Sequence, residues 1–350
     1  MDLPSGVINY RYAQDIAIVR TKTQWGLLAL LLVFLFTAPI YLPRYVIVVL
    51  NGIGITTIAA LGLGILLGYC GQISIGHTAF MAVGAYTSAF LTSTLGVPFL
   101  IALIAAGVCA GLVGVVFGIG SLRAKGLYLA MATLAAQFII IFIIKRWGSV
   151  TGGTSGTAVA PASIGGWTLE TEQSYFYLII SVAIIATIVA KNISRTKAGR
   201  AFIAIRDNDL AAAVMGINIF TYKLLAFFIS CFYAGIAGSL LAHYSHFIAP
   251  EHFTLNESIM YVGIVIIGGL GTTLGPILGT VFIRALGQGI LFMVKFLSDT
   301  FPQWAASFPA AIGPIVFGVA LAIFLIFEPR GLAHRWALFK SAYRLWPFSY

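Results

Sequence analysis

Apolar runs of similar length follow one another along most of the chain, at 25–42, 45–67, 74–95, 97–120, 127–144, 175–190, 224–243, 257–274, 276–294 and 310–327. Each is close to the roughly twenty residues an α-helix needs to cross bilayer hydrocarbon, where backbone N–H and C=O groups must be satisfied internally. Hydrophobic residues make up 60% of the 350 and charged residues 9%, with a mean hydropathy of +1.01, so no water-soluble fold could cover the apolar surface. The expected fold is all-α: a polytopic integral membrane protein with about ten transmembrane helices, some broken or re-entrant. It divides into a tail at 1–24, a transmembrane region at 25–327 and a basic tail at 328–350. The first run follows about two dozen fairly polar residues and precedes no small-residue cleavage site, so it reads as a retained helix rather than a removed signal.

The net charge of +10 does not point to nucleic acid, because the cations sit in loops between apolar runs and form no aromatic-interleaved patch. With the amino terminus placed in the cytoplasm, Arg44, Lys145, Arg146 and Lys295 fall outside and Arg284 falls within a span. All the other Lys and Arg residues fall inside, a strong positive-inside bias. Both termini and the loop 191–223 are therefore expected to be cytoplasmic, with the loop 145–174 on the outer side. Cys70, Cys109 and Cys231 lie in or beside spans and form neither a disulfide framework nor a metal motif.

The loop 191–223 is the longest polar, basic interruption. Within it Phe202, Ile205, Leu210, Val214 and Met215 recur at helical spacing, which predicts a short helix pair lying on the membrane surface with an apolar face for another protein. Asp207 or Asn208 can cap the second helix, and Gly216 suits the left-handed residue that ends it.

Two glycine-rich stretches interrupt the apolar pattern, Gly68-Tyr69-Cys70-Gly71-Gln72-Ile73-Ser74-Ile75-Gly76-His77 and Gly268-Gly269-Leu270-Gly271-Thr272-Thr273-Leu274-Gly275-Pro276. Non-helical backbone at membrane depth must be buried in protein or line a water-filled cavity. The first stretch reads either as such a break or as a tight cytoplasmic turn. Their placement in opposite halves hints at an internal repeat. Gly107, Gly111, Gly114 and Gly118 have small-xxx-small spacing and are assigned to helix packing. The outer loop, with Thr151-Gly152-Gly153-Thr154-Ser155-Gly156, reads as a flexible linker whose amides face the side from which solute or a delivery protein would arrive.

Several chemistries lack their residues. No glycine run has the G-x-x-x-x-G-K-[ST] spacing of a nucleotide-binding loop, so any ATP-driven motor is another chain. Asp and Glu are nearly absent from the span cores, which weighs against proton or sodium coupling. His243-x-x-His246 with His252 comes nearest to ligand spacing, but has only Glu251 beside it and no helical H-E-x-x-H, and no nucleophile elbow is present. Neither a metal nor an enzymatic reaction is expected. Arg284 reads either as facing the bundle interior or as snorkelling to an interface, while Gln137 and Asn51 read as interhelical hydrogen-bonding residues.

Residues 68–91, GYCGQISIGHTAFMAVGAYTSAFL, resemble the signature region of branched-chain amino-acid ABC importer permeases. Residues 199–216, GRAFIAIRDNDLAAAVMG, followed by Ile217, Asn218 and Lys223-Leu-Leu-Ala-Phe, are similar to that family's cytoplasmic coupling loop. Thr151-Gly152-Gly153 and residues 268–279, GGLGTTLGPILG, fall in the family's order. The resemblance implies a permease subunit working by alternating access beside a second homologous permease, two cytoplasmic ATP-binding subunits and an extracytoplasmic solute-binding protein. ATP is then hydrolysed by the partners, and no cofactor is bound directly. It implies coupling residues Arg200, Arg206, Asp207, Asp209 and Gly216, and pathway residues Gly71, Gln72, Ser74, His77, Gly269 and Gly271. The family's EAA-x-x-x-G pattern is altered here to Leu210-Ala211-Ala212-Ala213-Val214-Met215-Gly216, with the acid displaced to Asp209. Leucine, isoleucine and valine are the implied solutes, urea or short amides being the alternative. A passive small-solute channel is the rival class.

Overall fold

The computed structural model describes residues 22–121, 127–300, 308–328 and 330–345. Each apolar run lies on a helix: α1 (Lys22–Tyr41), α2 (Arg44–Leu63), α3 (His77–Ser93), α4 (Phe99–Ser121), α5 (Leu127–Arg146), α6 (Glu172–Ile193), α9 (Ile219–Ser245), α10 (Leu255–Gly268), α11 (Leu274–Thr300) and α12 (Phe308–Phe327). Between α6 and α9 lie the short α7 (Lys197–Asp207) and α8 (Asp209–Val214), and α13 (Leu332–Leu345) follows α12.

Six helical stretches among the described residues are long and apolar enough to cross a membrane: Arg44–Tyr69, Phe99–Gly120, Tyr128–Arg146, Glu172–Ile193, Ile219–Ser245 and Leu274–Phe296. That is fewer than the ten expected. Segments Trp25–Tyr41 and Ile315–Phe324 are apolar but shorter, and α3 and α10 have 17 and 14 residues. The last two are short because the glycine-rich stretches are non-helical: α3 begins only at His77, and α10 stops at Gly268 before α11 starts at Leu274.

The central post is α9, which turns a face of small residues, among them Ala226, Ser230, Ala234, Gly235 and Gly238, into the bundle. A Cβ on Gly84 of α3 would lie 2.4 Å from the Gly235 Cα, and one on Gly238 would lie 2.0 Å from the Met81 carbonyl oxygen. Lipid tails are as apolar as the side chains, so such close backbone approach is what holds membrane helices together. On the other side of α9, Gly107, Gly111 and Gly114 of α4 receive Phe232, Phe228 and Cys231. Leu30, Phe34, Leu112, Val116 and Phe142 point outward and are exposed, as a lipid-facing belt requires.

The loop 145–174 is ordered, not a flexible linker. The buried Thr151 hydroxyl donates to the Ile144 carbonyl at 2.6 Å, and Gly152 and Gly153 adopt φ of +71° and +64°. A side chain at Gly152 would also collide with the Gly156 carbonyl, so the glycines of this motif serve a tight turn. Strand β1 (Thr157–Ala158) pairs antiparallel with β4 (Phe247–Ile248), and β2 (Ser163–Ile164) pairs with β3 (Trp167–Thr168) across Gly165-Gly166. The first ladder ties this loop to the end of α9.

Candidate functional site

From the carboxyl end of α2 the chain widens into a π-helical turn, Gly64–Tyr69, where Cys70 N–H donates to the Ile65 carbonyl at 3.2 Å and Gln72 N–H to that of Leu66 at 3.1 Å. Residues 70–76 then run non-helically, with Cys70, Gln72, Ser74 and Gly76 buried, Ile73 and Ile75 half-buried and Gly71 exposed. Gly76 passes so close to α5 that a Cβ there would meet the Thr133 carbonyl oxygen at 2.2 Å. A break buried apart from Gly71, not a tight turn, is therefore what this sequence forms.

At its far side, α3 starts with its amino end against the amino end of α10, and a polar knot joins them. Thr78 N–H donates to Ser258 Oγ at 3.1 Å, and the two hydroxyls lie 2.6 Å apart. Gln137 of α5 spans the junction: its Oε1 accepts from Ala79 N–H at 3.0 Å and from the Ser258 hydroxyl at 3.2 Å, while Nε2 donates to the Phe253 carbonyl at 2.8 Å. A side chain thus satisfies a helix amino end that has no preceding turn to do so. His77, fully buried, has Nε2 3.0 Å from the Ala59 carbonyl oxygen.

Beside the knot is a cavity of about 690 Å³, which extends from Thr56, Thr78 and Tyr261 towards Tyr244, Ser245, Glu251 and His252 at the end carrying the 145–174 loop. Glu257 of α10 and Arg284 of α11 both face it. The Arg284 guanidinium is anchored on α2, with Nε donating to Thr56 Oγ1 at 3.2 Å and Nη2 to the same oxygen at 2.5 Å. Arg284 therefore faces the interior instead of snorkelling. Thr254 caps α10 by accepting from Glu257 N–H at 3.3 Å. Gly71, Gln72, Ser74, His77, Gly269 and Gly271 are absent from the lining of this cavity, which passes instead through Thr56, Thr78, Glu257, Tyr261 and Arg284. The Thr254-x-x-Glu257 capping box was the signal available for Glu257, since it marks a helix start rather than mid-span sequence.

At the opposite end the two glycine breaks meet. A Cβ on Gly68 would lie 2.7 Å from Gly271 N, and Arg206 of α7 reaches both. Its Nη1 donates to the Gly68 carbonyl at 2.9 Å, its Cγ packs on Gly71, and Nη1 lies 2.9 Å from the position of a Gly271 Cβ. Asp207 Oδ1 accepts from Arg206 Nε and Nη2 at 2.9 and 2.8 Å, holding the guanidinium in that pose. Asp207 is thus occupied by Arg206, and the α8 cap is Asn208, whose Oδ1 accepts from Leu210 and Ala211 N–H at 3.0 and 3.1 Å. Gly269 (φ +111°) packs against Arg330 and Ala333 at the start of α13.

The helix pair of 191–223 divides its apolar residues between two surroundings. Phe202 and Ile205 of α7 are buried against the bundle, whereas Leu210, Val214 and Met215 on or beside α8 are 70%, 87% and 82% exposed. Gly216 ends the segment at φ +82° in open space. Asp209 pairs with Lys223 at 4.0 Å, and Arg200 is exposed, its Nη1 donating to the Arg195 carbonyl at 3.2 Å without reaching the breaks.

A bundle of lipid-facing helices around a cavity lined by both apolar and charged side chains, with largely buried non-helical backbone beneath it, defines a membrane permease. The chain belongs to the family described as branched-chain amino acid transport system / permease component, which matches residues 45–326. It is 29% identical over 338 residues to the high-affinity branched-chain amino acid transport system permease protein LivM of Escherichia coli (strain K12), covering 89% of this chain and 75% of that one. To the probable branched-chain amino acid transport permease protein LivM of Methanocaldococcus jannaschii it is 24% identical over 67% of each chain. A more distant match is the autoinducer 2 import system permease protein LsrC of Photorhabdus laumondii, 29% identical over 44% of this chain and 42% of that one. No solved structure matches the chain.

Proposed function

We propose that this chain is the membrane-spanning subunit of an ATP-driven importer of branched-chain or related small amino acids, acting by alternating access in the cytoplasmic membrane of a bacterium or archaeon. In this reading the termini and the α7–α8 segment are cytoplasmic. A second homologous permease completes the pathway, two cytoplasmic subunits hydrolyse ATP, and a solute-binding protein delivers solute to the outer end. The two glycine breaks form the inner gate, and the cavity is the outward-open half of the route.

The observation that carries the reading is the bond from Arg206 to the Gly68 carbonyl. It joins a surface helix, next to the exposed Leu210, Val214 and Met215, directly to the break that closes the inner end. Movement of α8 by a motor subunit would reach the gate through α7, whose other side is fixed by buried Phe202 and Ile205. A conformational change requires different interaction energies in the two states, and a charge-assisted bond made in one of them supplies such a difference, about 1.5–3 kcal/mol.

The test is uptake of labelled leucine into proteoliposomes holding the chain with its partner permease, ATP-binding subunits and binding protein. Uptake should require ATP, and Arg206→Ala should uncouple the two activities, with ATP hydrolysis retained while uptake falls about tenfold or more. Uptake that equilibrates without ATP would favour a passive channel. Uptake by Arg206→Ala equal to that of the parent would remove the coupling role.

A further inference from the structure

The cavity wall carries one cation, Arg284, and two carboxylates, the half-buried Glu257 and Glu251, which is exposed at the end carrying the 145–174 loop. Glu257 stands at the start of α10 and Arg284 about two fifths of the way along α11, and among the described residues the ion pairs formed elsewhere do not include either of them. Both Glu257 and Arg284 are half-buried, and a charge partly withdrawn from water beside a solute route is a candidate for binding solute. We propose that this cavity is a binding site for a zwitterionic α-amino acid, in which Arg284 takes the carboxylate and Glu257 the ammonium.

The donor geometry carries the assignment. A guanidinium has five N–H donors, and Thr56 engages Arg284 through Nε and Nη2 on one edge. The edge formed by Nη1 and the second Nη2 hydrogen remains for a bidentate carboxylate, the fork-to-fork match for which Arg is suited and Lys is not. Thr56 thereby fixes the guanidinium before solute arrives, which lowers the ordering cost of binding. Glu257 has its backbone N–H satisfied by Thr254, so its place on α10 is set while its carboxylate lines the cavity. Val48, Val49, Ile55, Met81 and Leu241 supply an apolar wall for an aliphatic side chain. The volume, about 690 Å³, lies within the usual range for small-ligand pockets and leaves room for water with one amino acid. A neutral amide or sugar would forgo the two charge-assisted bonds that the free guanidinium edge and the carboxylate offer a zwitterion.

The inference rests on the importer reading and is separable from it. The experiment measures equilibrium binding of labelled leucine to the membrane complex in nanodiscs without its solute-binding protein, alongside ATP-driven uptake by the complete system. Competition is measured with 4-methylpentanoate, which lacks the ammonium, with isoamylamine, which lacks the carboxylate, and with urea. Saturable leucine binding should appear, and each single-charge analogue should compete on the order of tenfold more weakly or worse, with urea not competing. Arg284→Gln should abolish competition by 4-methylpentanoate, Glu257→Gln should abolish that by isoamylamine, and Arg284→Lys should recover only part of the affinity. The wild-type competition series stands even where a variant fails to assemble. ATP-driven leucine uptake with no binding to the membrane complex, or with binding unaffected by either charge substitution, would overturn the site and leave the importer reading intact. Leucine neither bound nor transported, with ATP-driven uptake of a neutral amide, would overturn both.

Discussion

At the residue scale the junction of α3 and α10 depends on Gln137, which serves four groups on three segments: Ala79 N–H, the Thr78 and Ser258 hydroxyls and the Phe253 carbonyl. Gln137→Leu keeps the approximate volume and removes every partner. Each buried group left unsatisfied costs about 1–3 kcal/mol, so thermal unfolding in detergent should occur well below that of the parent. Gln137→Glu, which keeps an acceptor for Ala79 N–H but loses the donor to Phe253, should fall between the two. Equal melting of all three proteins would show the knot to be dispensable. Individual residues were legible in sequence where their type was out of place: Arg284 stood out as a cation inside an apolar run, and Gln137 as an amide in one. Glu257 was not, because the apolar pattern alone sets span edges to within about two to four residues and the carboxylate fell on one of them. Thr56 and Thr78 gave no signal, since hydroxyls are common in membrane helices and their role here comes from neighbours distant in sequence.

At the scale of elements, local rules were enough for the surface pair. Asn208 ends α7 and caps α8, and Gly216 supplies the left-handed residue, as the residue types require. A helix of six residues has little stability of its own and rests on that cap. Asn208→Ala should weaken α8 by about 1 kcal/mol, seen as faster amide exchange across 209–214 with exchange in α9 unchanged. The same variant should lower ATP-driven uptake without altering leucine binding in the cavity. Unchanged exchange in 209–214 would mean that contacts other than the cap hold the helix. The breaks were legible as glycine clusters, but their consequence was not. That α3 and α10 are shortened helices with abutting amino ends follows from what each stretch packs against, Thr133 and Gln137 in one case and Arg330 and Ala333 in the other. Glycine identity alone permits either a turn or a buried break, and the neighbours choose. The same holds for Thr151-Gly152-Gly153, where a composition typical of a linker forms a fixed turn once β1 finds β4.

At the scale of the molecule, membrane residence was readable from hydropathy because lipid leaves a chain few alternatives. Which end would carry the proposed gate was not, since Gly68 meets Gly271 across more than half the chain. The proposed gate has a native reporter. Cys70 lies within the first break at 2% exposure, while Cys231 is 1% exposed under the α4–α9 contact. If the breaks are the inner gate, they must part in each cycle, whereas the helix-packing surface around Cys231 need not. In the reconstituted complex carrying Cys109→Ser, N-ethylmaleimide modification of Cys70 should be slow without nucleotide. It should accelerate several-fold during ATP turnover with loaded binding protein, as mass spectrometry of the 68–77 region would record, with Cys231 unmodified throughout. Acceleration confined to Cys70 would locate the opening at the glycine breaks. Equal rates at Cys70 in resting and cycling complexes would place the gate elsewhere and reduce Arg206 to a structural tie. The Arg206→Ala variant separates these cases further, because a latch that has been removed should leave Cys70 reactive before any ATP is added.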